Sequence, residues 1–129
     1  MKYAISAADV PDALGRYSQG TTAGRLIFSA GQVGRDAEDP DVLVDGGPVA
    51  ECERICDIFE KLLEEVDCSL TDVAAITVYL TDLDYADAVD AVTEANLDNG
   101  VQLVKTFAAQ TGCAPGQRSS IWSIFKLLP

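Results

Sequence analysis

Between Pro48 and Val66 the apolar residues Cys52, Ile55, Cys56, Phe59, Leu62, Leu63 and Val66 recur at three- and four-residue steps. A helix is the conformation that gathers such a set on one face. Pro48 suits its first turn, where a missing N–H is no loss. Glu51, Glu53, Glu60 and Glu64 occupy other positions and are expected on the solvated side. A lone helix of this length is marginal in water, so the rest of the chain must supply a surface for the apolar stripe.

That surface is legible as segments with a period of two. Residues 2–7 read as a short strand with Tyr3 and Ile5 on one side, and residues 16–22 as a second. Ala23-Gly24 makes a hairpin turn. Arg25 to Gln32 is a third strand, in which Leu26, Phe28 and Ala30 alternate with Ile27, Ser29 and Gly31. Residues 33–47, rich in Asp, Gly and Pro, form a surface loop with a short extended piece at Val42-Leu43-Val44. After the helix, Ser69 to Asp72 is a turn and Val73 to Thr81 a strand. Ile76, Val78 and Leu80 share one face of it; Thr77, Tyr79 and Thr81 share the other. Asp82 to about Leu97 returns to a helical period through Tyr85, Val89 and Val92, and Asn99-Gly100 breaks it. Val101 to Ala109 is compatible with more helix, Gly112 to Gln117 with loop, and Ser119 to Lys126 with a last strand. The order β-β-β-α-β-α-β predicts one α+β domain over residues 1–129, a mixed sheet with two helices packed on one face. Apolar residues on the other face then need a partner, and self-association is the expected consequence.

Charge narrows the function. Nine Lys and Arg against 21 Asp and Glu leave −12, a field that repels phosphate and anionic lipid. Neither nucleic acid nor membrane is an expected partner. No apolar run is long enough to span a bilayer, and the first residues lack the apolar stretch of a signal peptide, so a cytoplasmic location is expected. There is no histidine, which removes Ser-His-Asp and Cys-His catalysis. The four cysteines, Cys52, Cys56, Cys68 and Cys113, form no CxxC pair. They read as reduced, mostly buried thiols rather than metal ligands.

Four stretches, in order, resemble one family. These are Gly15-Arg16-Tyr17-Ser18-Gln19, Leu26 to Gln32 ending in Ser29-Ala30-Gly31-Gln32, the helix from Glu51 with its turn Cys68 to Val73, and Thr77-Val78-Tyr79-Leu80-Thr81-Asp82-Leu83. Together they resemble the RidA (YjgF) family over residues 13–92. The resemblance implies a chorismate-mutase-like fold and a homotrimer with inward sheets and outward helices. It implies clefts between subunits that hydrolyse 2-imino acids and their enamine tautomers, such as 2-aminoacrylate, to 2-keto acids and ammonia. It implies no cofactor.

An imino acid needs a positive fork for its carboxylate and water directed at its C=N carbon. The resemblance assigns the fork to Arg118 in Pro115-Gly116-Gln117-Arg118-Ser119. It places Tyr17 in the cleft, where a hydroxyl can orient water or substrate, and surrounds the ligand with Ser29, Ala30 and Gly31. Beside these roles stand the plain ones, a loop arginine, a sheet tyrosine and small residues at a strand end. The pattern departs near residue 93. The stretch from Leu83 to Arg118 is longer than the family's, Asp90 and Thr93 stand near its Asn and Tyr, and Ser119 to Lys126 is followed at once by Leu127-Leu128-Pro129. The family's sixth strand and its water-activating glutamate are therefore not expected. An insertion that restores the cleft, a diverged end serving another ligand, and a shifted reading frame all fit this tail. A trimeric small-carboxylate binding module without turnover is the alternative function.

Overall fold

The computed structural model describes residues 2–8, 10, 12, 17–97, 104–109 and 120–127, with backbone alone for 104, 105, 109 and 120–127. Six strands and two helices follow in the order β1 (Lys2–Ile5), β2 (Gly20–Ala23), β3 (Leu26–Ser29), α1 (Gly47–Glu64), β4 (Ala75–Leu80), α2 (Ala86–Asn96), β5 (Val104–Ala109) and β6 (Ser120–Leu127). They form one mixed sheet in the order β1-β2-β3-β6-β4-β5.

The first three strands make an antiparallel meander. The β2–β3 turn holds two residues, and Gly24 takes φ 59°, the left-handed value such a hairpin asks of glycine. From β3 the chain crosses through α1 to β4, and from β4 through α2 to β5, which pairs parallel with β4. Parallel neighbours need such crossovers. The last strand enters between β3 and β4 and pairs antiparallel with both, Phe28 opposite Phe125 and Ala75 opposite Phe125 in register.

Two expectations are corrected here. The sheet has six strands, not five, and the segment compatible with more helix, Val101 to Ala109, supplies β5 from Val104 onward. Its Val, Thr and Phe meet a parallel partner once α2 has carried the chain back across the sheet, and pairing overrides local propensity.

Ile27, Ile76, Val78 and Leu80 point from the sheet into the core, where they meet Cys52, Ile55, Cys56, Ile58, Phe59, Leu62 and Leu63 of α1 and Val89 and Val92 of α2. Burying a large apolar side chain stabilises by about 1.5–3 kcal/mol, so this stripe is what holds α1 helical. Among the described residues no helix covers the opposite face. Leu26, Phe28 and Tyr79 lie there, 36%, 43% and 38% exposed.

Glu51 corrects the expected helix surface, because it is buried. The strap of residues 34–44 explains it. Val44 N donates to Gly34 O, Asp36 N donates to Val42 O, and Arg35 bridges Leu43. This ribbon lies across α1 so closely that a Cβ on Gly34 would stand 2.7 Å from Glu51 Cα and 2.9 Å from its carbonyl oxygen. Gly34→Ala should therefore destabilise by about 1–3 kcal/mol through overpacking, read as a lower urea midpoint. An unchanged midpoint would show that the strap shifts freely.

Cys52, Cys56 and Cys68 are buried free thiols. Burial pushes Cys56 up from 9.0 to about 12, with Cys52 and then Asp57, Glu53 and Glu60 adding to it. A thiol raised on folding stabilises fully below its unfolded value and loses that contribution as pH rises from 9.0 toward about 12. Labelling of Cys56 by a thiol reagent at mildly alkaline pH should therefore follow unfolding, with a rate that urea raises steeply. Fast labelling of the folded protein would contradict the burial.

Candidate functional site

Gln19 fixes the corner of the sheet where the candidate residues meet. It is 6% exposed. Its Oε1 accepts from Ala7 N at 2.6 Å, and its Nε2 donates to Val10 O at 3.2 Å and Ala7 O at 3.4 Å. Its own carbonyl accepts from Ala30 N at 2.9 Å, continuing the ladder one step past Gly20 and Ser29. One side chain thus ties the segment after β1 to the entry of β2, and the backbone beside it ties that entry to the exit of β3.

The consequence is local. Tyr17, Ser29, Ala30 and Gly31 come to the same end of the β2–β3 pair. Tyr17 is half exposed, Ser29 and Ala30 are half buried, and Gly31 is exposed. Phe28, next to Ser29 along β3, lies on the sheet face away from the core. A phenol hydroxyl, small side chains and an apolar floor are groups from which a site for a small carboxylic acid can be built.

Arg118, the expected carboxylate fork, lies outside the described residues, two positions before β6. Its placement in the chain still differs from the expectation: Ser120–Leu127 is the sixth strand rather than the fifth. That strand, Ser-Ile-Trp-Ser-Ile-Phe-Lys-Leu, contains no carboxylate. The sequence alone assigns Gln19 no role. The available signal was a long polar side chain directly before the first residue of a buried hairpin.

With this geometry in hand, the comparisons decide the family. The family model described as Endoribonuclease L-PSP matches residues 7–114, well over half of the chain. The chain belongs to the RidA (YjgF) family. A RutC family protein of Pyrococcus abyssi is 36% identical over 94 residues, 72% of this chain and 73% of that one. The 2-iminobutanoate/2-iminopropanoate deaminase of Capra hircus is 36% identical over 88 residues, 68% of this chain and 64% of the goat protein's length. The crystal structure of RidA from an Antarctic Psychrobacter superposes with a TM-score of 0.84 at 28% identity, over 98% of this chain and 99% of that one. The α+β, chorismate-mutase-like fold of the RidA family therefore holds across the six strands. Among the described residues no helix is long and apolar enough to cross a membrane.

Replacing Gln19 by leucine should strand Ala7 N and the Val10 carbonyl without partners. Each buried orphan costs about 1–3 kcal/mol, so the variant should melt several degrees lower and lose amide protection at Ala7. Retained protection at Ala7 would assign the pinning to another group.

Proposed function

We propose that this RidA protein hydrolyses 2-imino acids and their 2-enamino tautomers to 2-keto acids and ammonia, without a cofactor, in clefts between the subunits of a homotrimer. The observation that carries the reading is the half-built corner of Tyr17 with Ser29, Ala30 and Gly31, set at the margin of an apolar sheet face that a second copy would cover. The relatives named as 2-iminobutanoate/2-iminopropanoate deaminases support the substrate class.

The chemistry is modest in what it asks. Water oxygen bonds to the imino carbon while the C=N π pair moves to nitrogen, which takes up one of the water's protons through solvent to give the carbinolamine. The carbinolamine then collapses: its hydroxyl proton passes to nitrogen through solvent, the C–O bond becomes a carbonyl, and ammonia leaves with the C–N pair. In this reading the Tyr17 hydroxyl holds the water, and a water already held at the carbon has lost the freedom that slows the free reaction. Arg118 supplies the carboxylate fork, because a guanidinium pairs with a carboxylate through two parallel N–H donors and stays charged. Both roles are proposals.

A second reading has an observation of its own. With no carboxylate on β6, the site has no obvious acceptor for the water's proton, and a trimer that holds 2-keto acids without turning them over fits that composition. The reaction separates the two. An amino acid oxidase generating 2-imino acids should release ammonia faster in the presence of the protein, and Arg118→Ala should lower that acceleration at least tenfold, as about 1.4 kcal/mol of lost transition-state binding predicts. No acceleration by a folded trimer that still gains thermal stability from keto acids would establish the binding module instead.

A further inference from the structure

On the helix side of the sheet, a cavity of about 420 Å³ lies between α1, the segment after β1 and the strap. Its described lining is Ala8, Val10, Asp12, Ala37, Pro40, Arg54 and Lys61. The volume is that of a site for a small metabolite rather than a crevice for water. In a chain with nine cationic side chains and a net charge of −12, a recess with two of them on its wall is unexpected.

The two cations share a wall because of helical geometry. Arg54 and Lys61 are seven residues apart on α1, two turns, which sets them on one face about 10 Å apart along the axis. Arg54 is also aimed. Its Nε donates to the Arg35 carbonyl at 2.7 Å, which leaves the terminal guanidinium nitrogens for other acceptors. Arg35 is itself built in behind the wall: its Nη2 donates to Asp12 O at 2.8 Å, and its buried Nε has no hydrogen-bond partner. Among the described residues, main-chain carbonyls are the hydrogen-bond acceptors of both guanidiniums, and a third positive charge stands behind the wall.

The nearby acids do not neutralise this group. Asp36 acts on Arg54 through space, but its Oδ1 is occupied in its own turn, accepting from Glu38 N at 2.8 Å and Asp39 N at 3.1 Å. Those backbone donors come first among the causes that hold its carboxyl below the ordinary value of 3.8. Asp12 stands exposed on the rim. Asp57, Glu60 and Glu64 share a separate recess with Lys61 along α1. Among the described residues none of these carboxylates hydrogen-bonds Arg54 or Lys61.

We infer that this groove binds a small metabolite through an oxyanion group, a phosphate or a carboxylate, held by the Arg54 guanidinium and the Lys61 ammonium. The fork of Arg54 matches either oxyanion through paired donors, and Lys61 adds a movable point charge. The apolar patch of Ala8, Val10, Ala37 and Pro40 suits the carbon body of such a ligand. The surrounding negative field then acts as a filter, since only an anion that engages both cations offsets the repulsion of the rest of the surface.

The test is a backbone-amide NMR titration of the full chain with inorganic phosphate and, separately, succinate, each against sodium chloride at matched ionic strength. The expected result is saturable shifts clustered on Ala8, Val10, Ala37, Arg54 and Lys61 with at least one of the two probes. Saturation by phosphate alone assigns a phosphate ligand, and by succinate alone a carboxylate. Lys61→Gln, which disturbs no backbone bond, should weaken that binding about tenfold, the usual effect of losing one charge-assisted hydrogen bond. Arg54→Gln should do the same, and Lys61→Gln should leave any imine hydrolysis unchanged. Shifts that grow linearly with both probes as with chloride, that centre on Tyr17 and Gly31, or that survive Lys61→Gln and Arg54→Gln would overturn the assignment.

Discussion

The slot between β3 and β4 is the constraint on which the rest of the fold depends. Because α1 carries the chain from β3 to a parallel β4 without pairing the two, each strand keeps one edge of backbone donors and acceptors to be filled. Buried backbone groups left unpaired are costly, so the α1 stripe cannot pack on this sheet until another strand occupies the gap. β6 does so with antiparallel ladders on both sides. The last segment of the chain thereby joins the β1–β3 meander to the β4–β5 pair and turns two small sheets into one floor for both helices.

Helices on one side of that floor have a consequence for the other. The pleat that sends Ile27 and Val78 into the core sends Leu26, Phe28 and Tyr79 out. No sequence change confined to one face can avoid this, since neighbours in a strand alternate. Ile, Leu and aromatic residues on both faces are what a floor buried twice requires, once by its own helices and once by another molecule. The proposed trimer answers that requirement.

The parts of this architecture that were legible in the sequence are those whose signal is local. The stripe Cys52-Ile55-Cys56-Phe59-Leu62-Leu63 has one reading, and α1 has it. The alternation through Ile76, Val78 and Leu80 marks β4 directly, and the Ala23-Gly24 turn marks the hairpin. What local pattern could not supply was pairing. Val104–Ala109 mixes Val, Thr and Phe with Lys and two Ala, and only a parallel neighbour 29 residues earlier in register, Ala75 against Val104, makes it a strand. Ser120–Leu127 alternates poorly, and its place between β3 and β4 is set by backbone pairing along both edges rather than by its own pattern. Glu51 was misplaced because its burial comes from Gly34, 17 residues away, in a loop whose path no periodicity encodes. At the candidate site the same division holds. Tyr17 and Ser29 to Gly31 were legible as a group, and Gln19, which holds them, acts through contacts with Ala7 and Val10 that the sequence does not announce.

The corner and the tail are therefore separable in physical terms. Tyr17, Ser29, Ala30 and Gly31 are positioned by a hairpin and by Gln19, all within residues 7–31, and none of those links involves the segment where the family pattern departs. The tail contributes through the β6 ladder that completes the sheet and, in the proposed function, through Arg118. A change in the tail that preserves an extended, apolar Ser120–Leu127 keeps the floor, and with it the corner, while altering the charge brought to the cleft. This is how a chain can keep its family's fold over six strands yet carry no carboxylate on the last of them. The structural demand on that strand is backbone pairing, which almost any β-compatible sequence meets, whereas the chemical demand falls on single side chains that pairing does not constrain.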